Sequence, residues 1–533
     1  AGQAAVNAGH GAAAAGYFDR AAELNAGSNR GADASLLASR AFSASLLGGD
    51  IRRATALATI AAAQPAADTG VAGLAMLTRG VEALADGEPG RARALLSGGS
   101  ASGDRLAPAA LLAPIAAAAA GDAKGAAIHP VIADDPISQF YASLDQARLY
   151  EHFRRYEEAE TAYRALVASG DPGGLASYNL GLFLERRGRA PAASGVYDRA
   201  LSRNPDDRAL VAALARLASA RRPPPLISLR RMAAESLAAP AALLMVQKQE
   251  EAALAYLRLA LRLDPADDDA WALVGDVLAD LGDVDSARAA WLTPRPGSDS
   301  FAAARAKLAW SYQNAGATGE ALKIAHATLA AAPGSLDSAT NLADLLRASQ
   351  RYDESIRVLD PLIAGEAGRP DWRLLYMRAV DYQESGRWAD AERDLSRALA
   401  LRPDEPELLN FLGYSWIDRG ERLPQALDMI KKAVSLEPRS GAMLDSLGWG
   451  YYRLGDYPMA VRQLESAVAL EAGDPDINDH LGDAYWRVGR VTEARYQWRR
   501  VLTLEPSAKL RGQAEAKLKS GLDGAAPAVV AGP

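Results

Sequence analysis

The sequence predicts an all-α fold, a right-handed solenoid of stacked helix pairs. Two observations predict it. The first is a period of 34 residues: Leu447-Gly448, Tyr451, Ala460, Leu464 and Ala467 recur as Leu481-Gly482, Tyr485, Ala494, Trp498 and Val501. The same register reaches back to Leu412-Gly413, Trp416, Ala426, Ile430 and Ala433, with one extra residue around Glu421 to Leu423. The second is a file of prolines, Pro205, Pro265, Pro333, Pro403, Pro438 and Pro506, in which Pro265 to Pro333 and Pro438 to Pro506 each span two periods of 34. Proline cannot continue a helix, and the residue before it avoids the helical region, so each of these positions ends a repeat.

Within one period the residue sizes describe two helices, A and B. A small residue in helix A (Gly181, Gly275, Gly413, Gly448 or Gly482) admits helix B closely. Alanines on helix B, such as Ala193 and Ala200, Ala253 and Ala260, Ala391 and Ala398, do the same from the other side. Tyr197, Leu257, Leu395 and Trp498 fill the space between, at the spacing of one helical face. This pattern resembles the tetratricopeptide (TPR) repeat, a helix–turn–helix unit of that length which buries its apolar face only by stacking on neighbours. The resemblance implies a binding surface rather than a catalytic centre.

The bulk numbers agree. At 533 residues a chain would ordinarily form several globular domains, but repeats that pack only on neighbours escape that limit. Apolar residues make up 49% and aromatics only 6%, with alanine, the best helix former, dominant. A net charge of −7 without a basic run argues against nucleic acid as partner. The absence of cysteine removes disulfides, thiolate metal sites and cysteine nucleophiles. The longest uncharged apolar stretch, Leu106 to Ala120, is short, alanine-rich and broken by Pro108 and Pro114, so it reads as buried helix and not as a membrane span. Because the sequence begins at Ala1 and not at methionine, an upstream segment is expected to have been removed.

In chain order, residues 1–130 read as degenerate helical repeats, with a helix B around Ala14, Phe18 and Ala21. Gly49-Asp50 and Gly87 to Gly90 read as turns, and Gly98 to Gly103 and Gly121 to Gly125 as breaks. Residues 131–221 carry regular repeats. A Pro-rich interruption, 222–231, follows at Pro223, Pro224 and Pro225, favours an extended segment, and is a candidate bend or hinge. Repeats resume over 232–506, with an irregular connector at Leu292 to Gly297. Residues 507–522 form a polar capping helix bearing Lys509, Arg511, Lys517 and Lys519, and 523–533 a disordered tail.

No catalytic or metal-binding pattern stands out. The histidines, His10, His129, His152, His326 and His480, are scattered, and no H-E-x-x-H, phosphate loop or G-x-S-x-G elbow occurs. No metal or cofactor is expected, and the chain reads as a non-enzyme. His480, just before Leu481-Gly482, reads as a packing or groove residue.

The concave face of a TPR stack is lined by helix A. Residues one helical face away from the Leu-Gly-Tyr row are Asn410, Tyr414, Asp445, Trp449, Tyr452, Asp479, Asp483 and Trp486. Aromatic anchors alternate there with carboxylates, a composition suited to a protein or peptide partner. Two other readings stand beside this one: the aromatics seal neighbouring repeats, and Asp445, Asp479 and Asp483 are solvated or salt-bridged to Arg453 and Arg487.

Residues 406–506 resemble a narrower group. Leu412-Gly413-Tyr414 with Asp418-Arg419, Leu444-Asp445-Ser446-Leu447-Gly448-Trp449 with Tyr452-Arg453-Leu454-Gly455, and His480-Leu481-Gly482-Asp483 with Tyr485-Trp486 are similar to segments of proteobacterial envelope TPR proteins. One branch of that group is an outer-membrane lipoprotein, the adaptor that brings cell-wall hydrolases to a periplasmic carboxy-terminal processing protease. The resemblance implies a scaffold or adaptor at the periplasm or outer-membrane periphery, partnered by a periplasmic protease or an envelope complex. A lipoprotein carries a lipidated N-terminal cysteine and this sequence has none, so the envelope scaffold is better supported than the anchored adaptor. The alternative is a constitutive structural subunit of a larger membrane or secretion assembly.

Overall fold

Helix follows helix through every described part of the chain, with no strand among the described residues. The computed structural model describes residues 16–17, 31–62, 69–97, 107–132, 135–171, 173–205, 207–365 and 371–522. The helix expected around Ala14, Phe18 and Ala21, the glycine break at 98–103 and the tail at 523–533 lie outside them. By internal contacts the chain divides into two units, Ala1–Ile324 and Ala325–Pro533.

The first unit opens with α1 (Gly31–Leu47), α2 (Ile51–Ala62), α3 (Thr69–Ala85), α4 (Pro89–Ser97), α5 (Ala107–Ala119) and α6 (Ala123–Ala126). Gly49, Gly87 and Gly121 occupy turns in this stretch. Then come α7 (Pro136–His152), α8 (Tyr156–Ser169), α9 (Leu175–Arg186), α10 (Ala190–Leu201) and α11 (Arg208–Ala218). The unit continues through α12 (Leu229–Ala238), α13 (Ala241–Val246), α14 (Glu250–Leu263), α15 (Asp268–Asp280), α16 (Val284–Trp291) and α17 (Phe301–Asn314). α18 is Thr318–Ala331.

Helices α7 to α11 stack consecutively, as the period requires. At Gly181 a Cβ would stand 2.0 Å from the Tyr197 ring, which is why no larger residue fits there. Each buried tyrosine of this stack is tied to the next repeat. Tyr163 donates to Glu151, which also accepts from Arg186, and Tyr197 donates to Glu185, which accepts from Arg216.

The period alone did not show what happens next. After α11 the chain runs without helix from 221 to 228, and Pro224 offers its carbonyl to Arg186. It then places α12 against α5 and α7. α14 lies against α1, α2 and α3. Phe42, Leu77, Val81, Leu112 and Ile115 therefore share one core with Met232, Leu237 and Leu259. Arg262 pairs with Glu82 at 2.8 Å and with Asp86 at 2.8 Å. Ser236 donates to Asp145, and Arg148 joins Glu235 at 3.0 Å, fixing α12 to α7. The Pro-rich stretch is thus a return path, and helix already resumes at Leu229, inside the interruption expected at 222–231.

The second unit contains α19 (Leu336–Ala348), α20 (Tyr352–Gly365), α21 (Trp372–Glu384), α22 (Trp388–Leu401), α23 (Pro406–Arg419) and α24 (Leu423–Leu436). It ends with α25 (Gly441–Arg453), α26 (Tyr457–Leu470), α27 (Pro475–Arg487), α28 (Val491–Thr503) and α29 (Ala508–Ser520). From α19 to α29 each helix packs on the next. Pro403, Pro438 and Pro506 each follow the end of a helix B, as the register requires. Ser440, Asp456, Asp474 and Ser507 cap the following helices with their side-chain oxygens.

Candidate functional site

The helix A positions of the last repeats come into line because the period carries them. Asn410, Asp445 and Asp479 occupy one helical position on α23, α25 and α27, and Tyr414, Trp449 and Asp483 the position one turn later. Two of these repeats are locked together by one histidine. His480 Nδ1 stands 2.9 and 3.1 Å from the two oxygens of Asp445. Its ring stacks on Trp449, with centroids 4.2 Å apart and planes 16° from parallel. Trp449 also stacks on Tyr452 at 4.6 Å, and Arg487 donates to the Tyr452 hydroxyl at 3.2 Å.

Burial alone would drive the His480 pKa down, but the Asp445 carboxylate, assisted by Asp479 and Asp483, pushes it up to about 9. His480 is therefore a cation at neutral pH, held against an aromatic face. Burial raises the Tyr414 phenol, and the carboxylates of Asp445, Asp418 and Asp476 raise it further, so it stays a neutral hydroxyl. Beside these groups, Asn410 Oδ1 and Trp449 Nε1 are buried and find no hydrogen-bond partner among the described residues. Asn410, Tyr414 and Trp449 are themselves half-buried, with part of each side chain facing solvent.

The last repeat is different. Lys517, from α29, places its Nζ 2.6 Å from Asp479 and 2.8 Å from Asp483. Asp483 also accepts the Trp498 indole N–H at 3.0 Å. Trp486 packs on Trp498 at 5.4 Å, and a Cβ at Gly521 would meet its ring at 2.2 Å. The expectation that Asp479 and Asp483 stand open in a groove is corrected here, since both are buried and paired with Lys517 of the capping helix, while Trp486 stays half-buried. Tyr452 and Asp445 are likewise buried. The carboxylates do not follow the expected pairing either. Asp445 takes His480, Asp479 and Asp483 take Lys517, and Arg453 donates to the Asp418 carbonyl at 2.9 Å.

Sequence profiles described as tetratricopeptide repeat match residues 144–208, 243–298, 376–441 and 446–509, and a second such profile matches 312–378. The chain belongs to the tetratricopeptide repeat family. Its fold is accordingly an all-α TPR solenoid, and a TPR fold is a protein-interaction scaffold. A TPR repeat-containing protein of Pseudomonas aeruginosa, PA4667, is 41% identical over 85 residues, which is 16% of this chain and 14% of that protein. Among solved structures, the APC/C hetero-tetramer Cut9–Hcn1 is similar at 17% identity and TM-score 0.40, covering 91% of this chain and 96% of that one. A TPR protein from Parabacteroides merdae is similar at 14% identity and TM-score 0.37, over 54% of this chain and 99% of the other. Among the described residues no helix is long and apolar enough to cross a membrane.

Sequence reasoning placed Lys517 on a solvated cap and missed its ion pairs. A signal for Asp483 was nevertheless present in this TPR chain. Gly275-Asp276 is followed by Trp291 and Gly482-Asp483 by Trp498, at the same spacing. In both repeats the indole N–H reaches the aspartate at 3.0 Å and a lysine of the next helix A joins it: Lys307 at 2.7 Å, Lys517 at 2.8 Å. Aspartate directly after the packing glycine belongs to the stack when tryptophan sits on helix B.

Proposed function

We propose that the protein is a non-catalytic scaffold of the bacterial cell envelope, and that Asn410, Tyr414 and Trp449 hold a segment of a protein partner. The observation that carries this reading is the pair of orphaned atoms, an acceptor on Asn410 and a donor on Trp449, buried at neighbouring repeats of the same helix face. Leaving such an atom unpaired costs roughly 1–3 kcal/mol. An extended peptide offers both a backbone N–H and a carbonyl, so one bound segment satisfies both while the aromatic rings supply contact area. The cationic His480 fixes Trp449 and Asp445 beforehand, which lowers the entropy lost on binding. The envelope location, and service as adaptor to a periplasmic protease, rest on the resemblance of residues 406–506 to envelope TPR proteins.

The test replaces Tyr414 with a photocrosslinking phenylalanine in the native cell. A discrete protein should be captured, and capture should fall when Asn410→Ala and Trp449→Phe are added, since Phe keeps the stack but lacks the N–H. Capture unaffected by those changes, with the helical circular dichroism intact, would exclude this face as the site. Recovery of the protein from the cytosolic fraction would exclude the envelope.

A further inference from the structure

The last two helices carry the opposite charge to the rest of the molecule. From Arg490 to Ser520 there are eight Arg and Lys against three Glu, in a chain whose net charge is −7. Three of those cations have partners: Arg490 with Glu465 and Glu493, Lys517 with Asp479 and Asp483, and Arg500 with the Ala472 carbonyl. Arg495, Arg499, Lys509, Arg511 and Lys519 are exposed and pair with no carboxylate among the described residues.

On α28 the buried face is Ala494, Trp498 and Val501. The helical repeat then places Tyr496 at the centre of the opposite face, with Arg495 and Arg499 on one flank and Arg500 on the other. Tyr496 is 59% exposed. The preceding repeats do not look like this. The positions of Arg495 one and two periods earlier are Val461 and Leu427, both buried, and Leu427 would meet a Cβ placed on Gly450 of the next helix A. At the end of the array α29 leaves Arg495 uncovered. A solenoid end requires polarity there, but it requires neither a single sign of charge nor an exposed tyrosine.

We propose that this outer face of α28, centred on Tyr496 and flanked by Arg495 and Arg499, docks an acidic segment of a protein, at a second surface separate from the Asn410 face. Tyrosine and arginine are the residues that carry binding energy at protein interfaces. The patch is too short for the long basic stripe of a nucleic-acid interface. It also lacks the broad apolar face with which a helix enters a membrane surface. A scaffold with two such surfaces can bring one partner to another.

The experiment titrates the full chain with a fluorescein-labelled oligoglutamate peptide, with duplex DNA and phosphatidylserine vesicles as parallel probes. The peptide should bind, and more weakly as salt rises. The double variant Arg495→Glu, Arg499→Glu should weaken binding at least about tenfold and Tyr496→Ala about threefold or more. These side chains are exposed, so unchanged thermal unfolding is expected of the variants. Peptide affinity untouched by the double variant or by Tyr496→Ala would overturn the proposal, as would tighter binding to DNA or to vesicles than to the peptide.

Discussion

Trp498 gives its indole N–H to Asp483 at 3.0 Å while its ring covers Gly482, where a Cβ would lie 2.5 Å away. Glycine makes room, tryptophan fills it, and the carboxylate satisfies the one polar atom thereby buried. Trp291, Asp276 and Gly275 repeat the arrangement in the first unit. Trp498→Ala should cost about 3–5 kcal/mol, and Gly482→Ala about 1–3 kcal/mol through overpacking. Urea unfolding of the two variants would measure both. A loss below about 1 kcal/mol for Trp498→Ala would show that the stack tolerates the cavity.

Lys517 neutralises two buried carboxylates from a helix with little apolar area of its own. Lys517→Met strands Asp479 and Asp483 and should destabilise by about 3–5 kcal/mol. Hydrogen exchange should quicken first along α29. Adding Asp479→Asn and Asp483→Asn should recover part of the loss. Exchange through α29 as slow as in the parent would deny the lysine this role.

His480 sets a pH dependence. Its folded pKa, about 9, lies above its unfolded value, so the associated stability is complete below about pH 6.5 and lost as pH rises through 9. The span is on the order of 3 kcal/mol. Denaturant midpoints at about pH 6 and about pH 10 should therefore fall further in the parent than in His480→Gln. Equal falls would mean that the Asp445 pair does not hold the proton.

Asp145 is the corresponding buried group of the first unit. Burial raises it to about 6 against the opposing pull of Arg148. Arg148→Met should leave the buried Asp145 without a cation, Glu235 keeping only Arg231, and cost about 3–5 kcal/mol. Without Arg148 the Asp145 carboxyl should titrate above about 6, so the variant should regain stability relative to the parent as the pH falls towards about 6 and no further below it. A variant insensitive to acid would show that the carboxylate is otherwise satisfied.

The sequence made the helix pairs legible because a packing glycine, a helix B alanine and a closing proline each act within one repeat. Tyr197 on Gly181 and Trp498 on Gly482 are such local agreements. The site was legible in position but not in condition. The period put Asp479 and Trp449 on one face, yet it held no information about α29, which folds over the last repeat and brings Lys517. Nor could it show α12 lying against α5 and α7, since a repeat pattern encodes only neighbours in sequence. Glu82 with Arg262 joins residues 180 positions apart.

That long reach bears on how the chain is made. Helices α1 to α5 leave the ribosome long before α12 and α14, which complete their core. Of the helices synthesised in between, α8 to α11 pack on one another and on α7, and only α7 also receives α12. The middle of this unit can thus mature first, while Phe42, Leu77 and Leu112 stay without their full cover until residue 263 has been translated. Order of synthesis and order of completion run in different directions, and the earliest helices are the ones that most need shielding in a crowded cell.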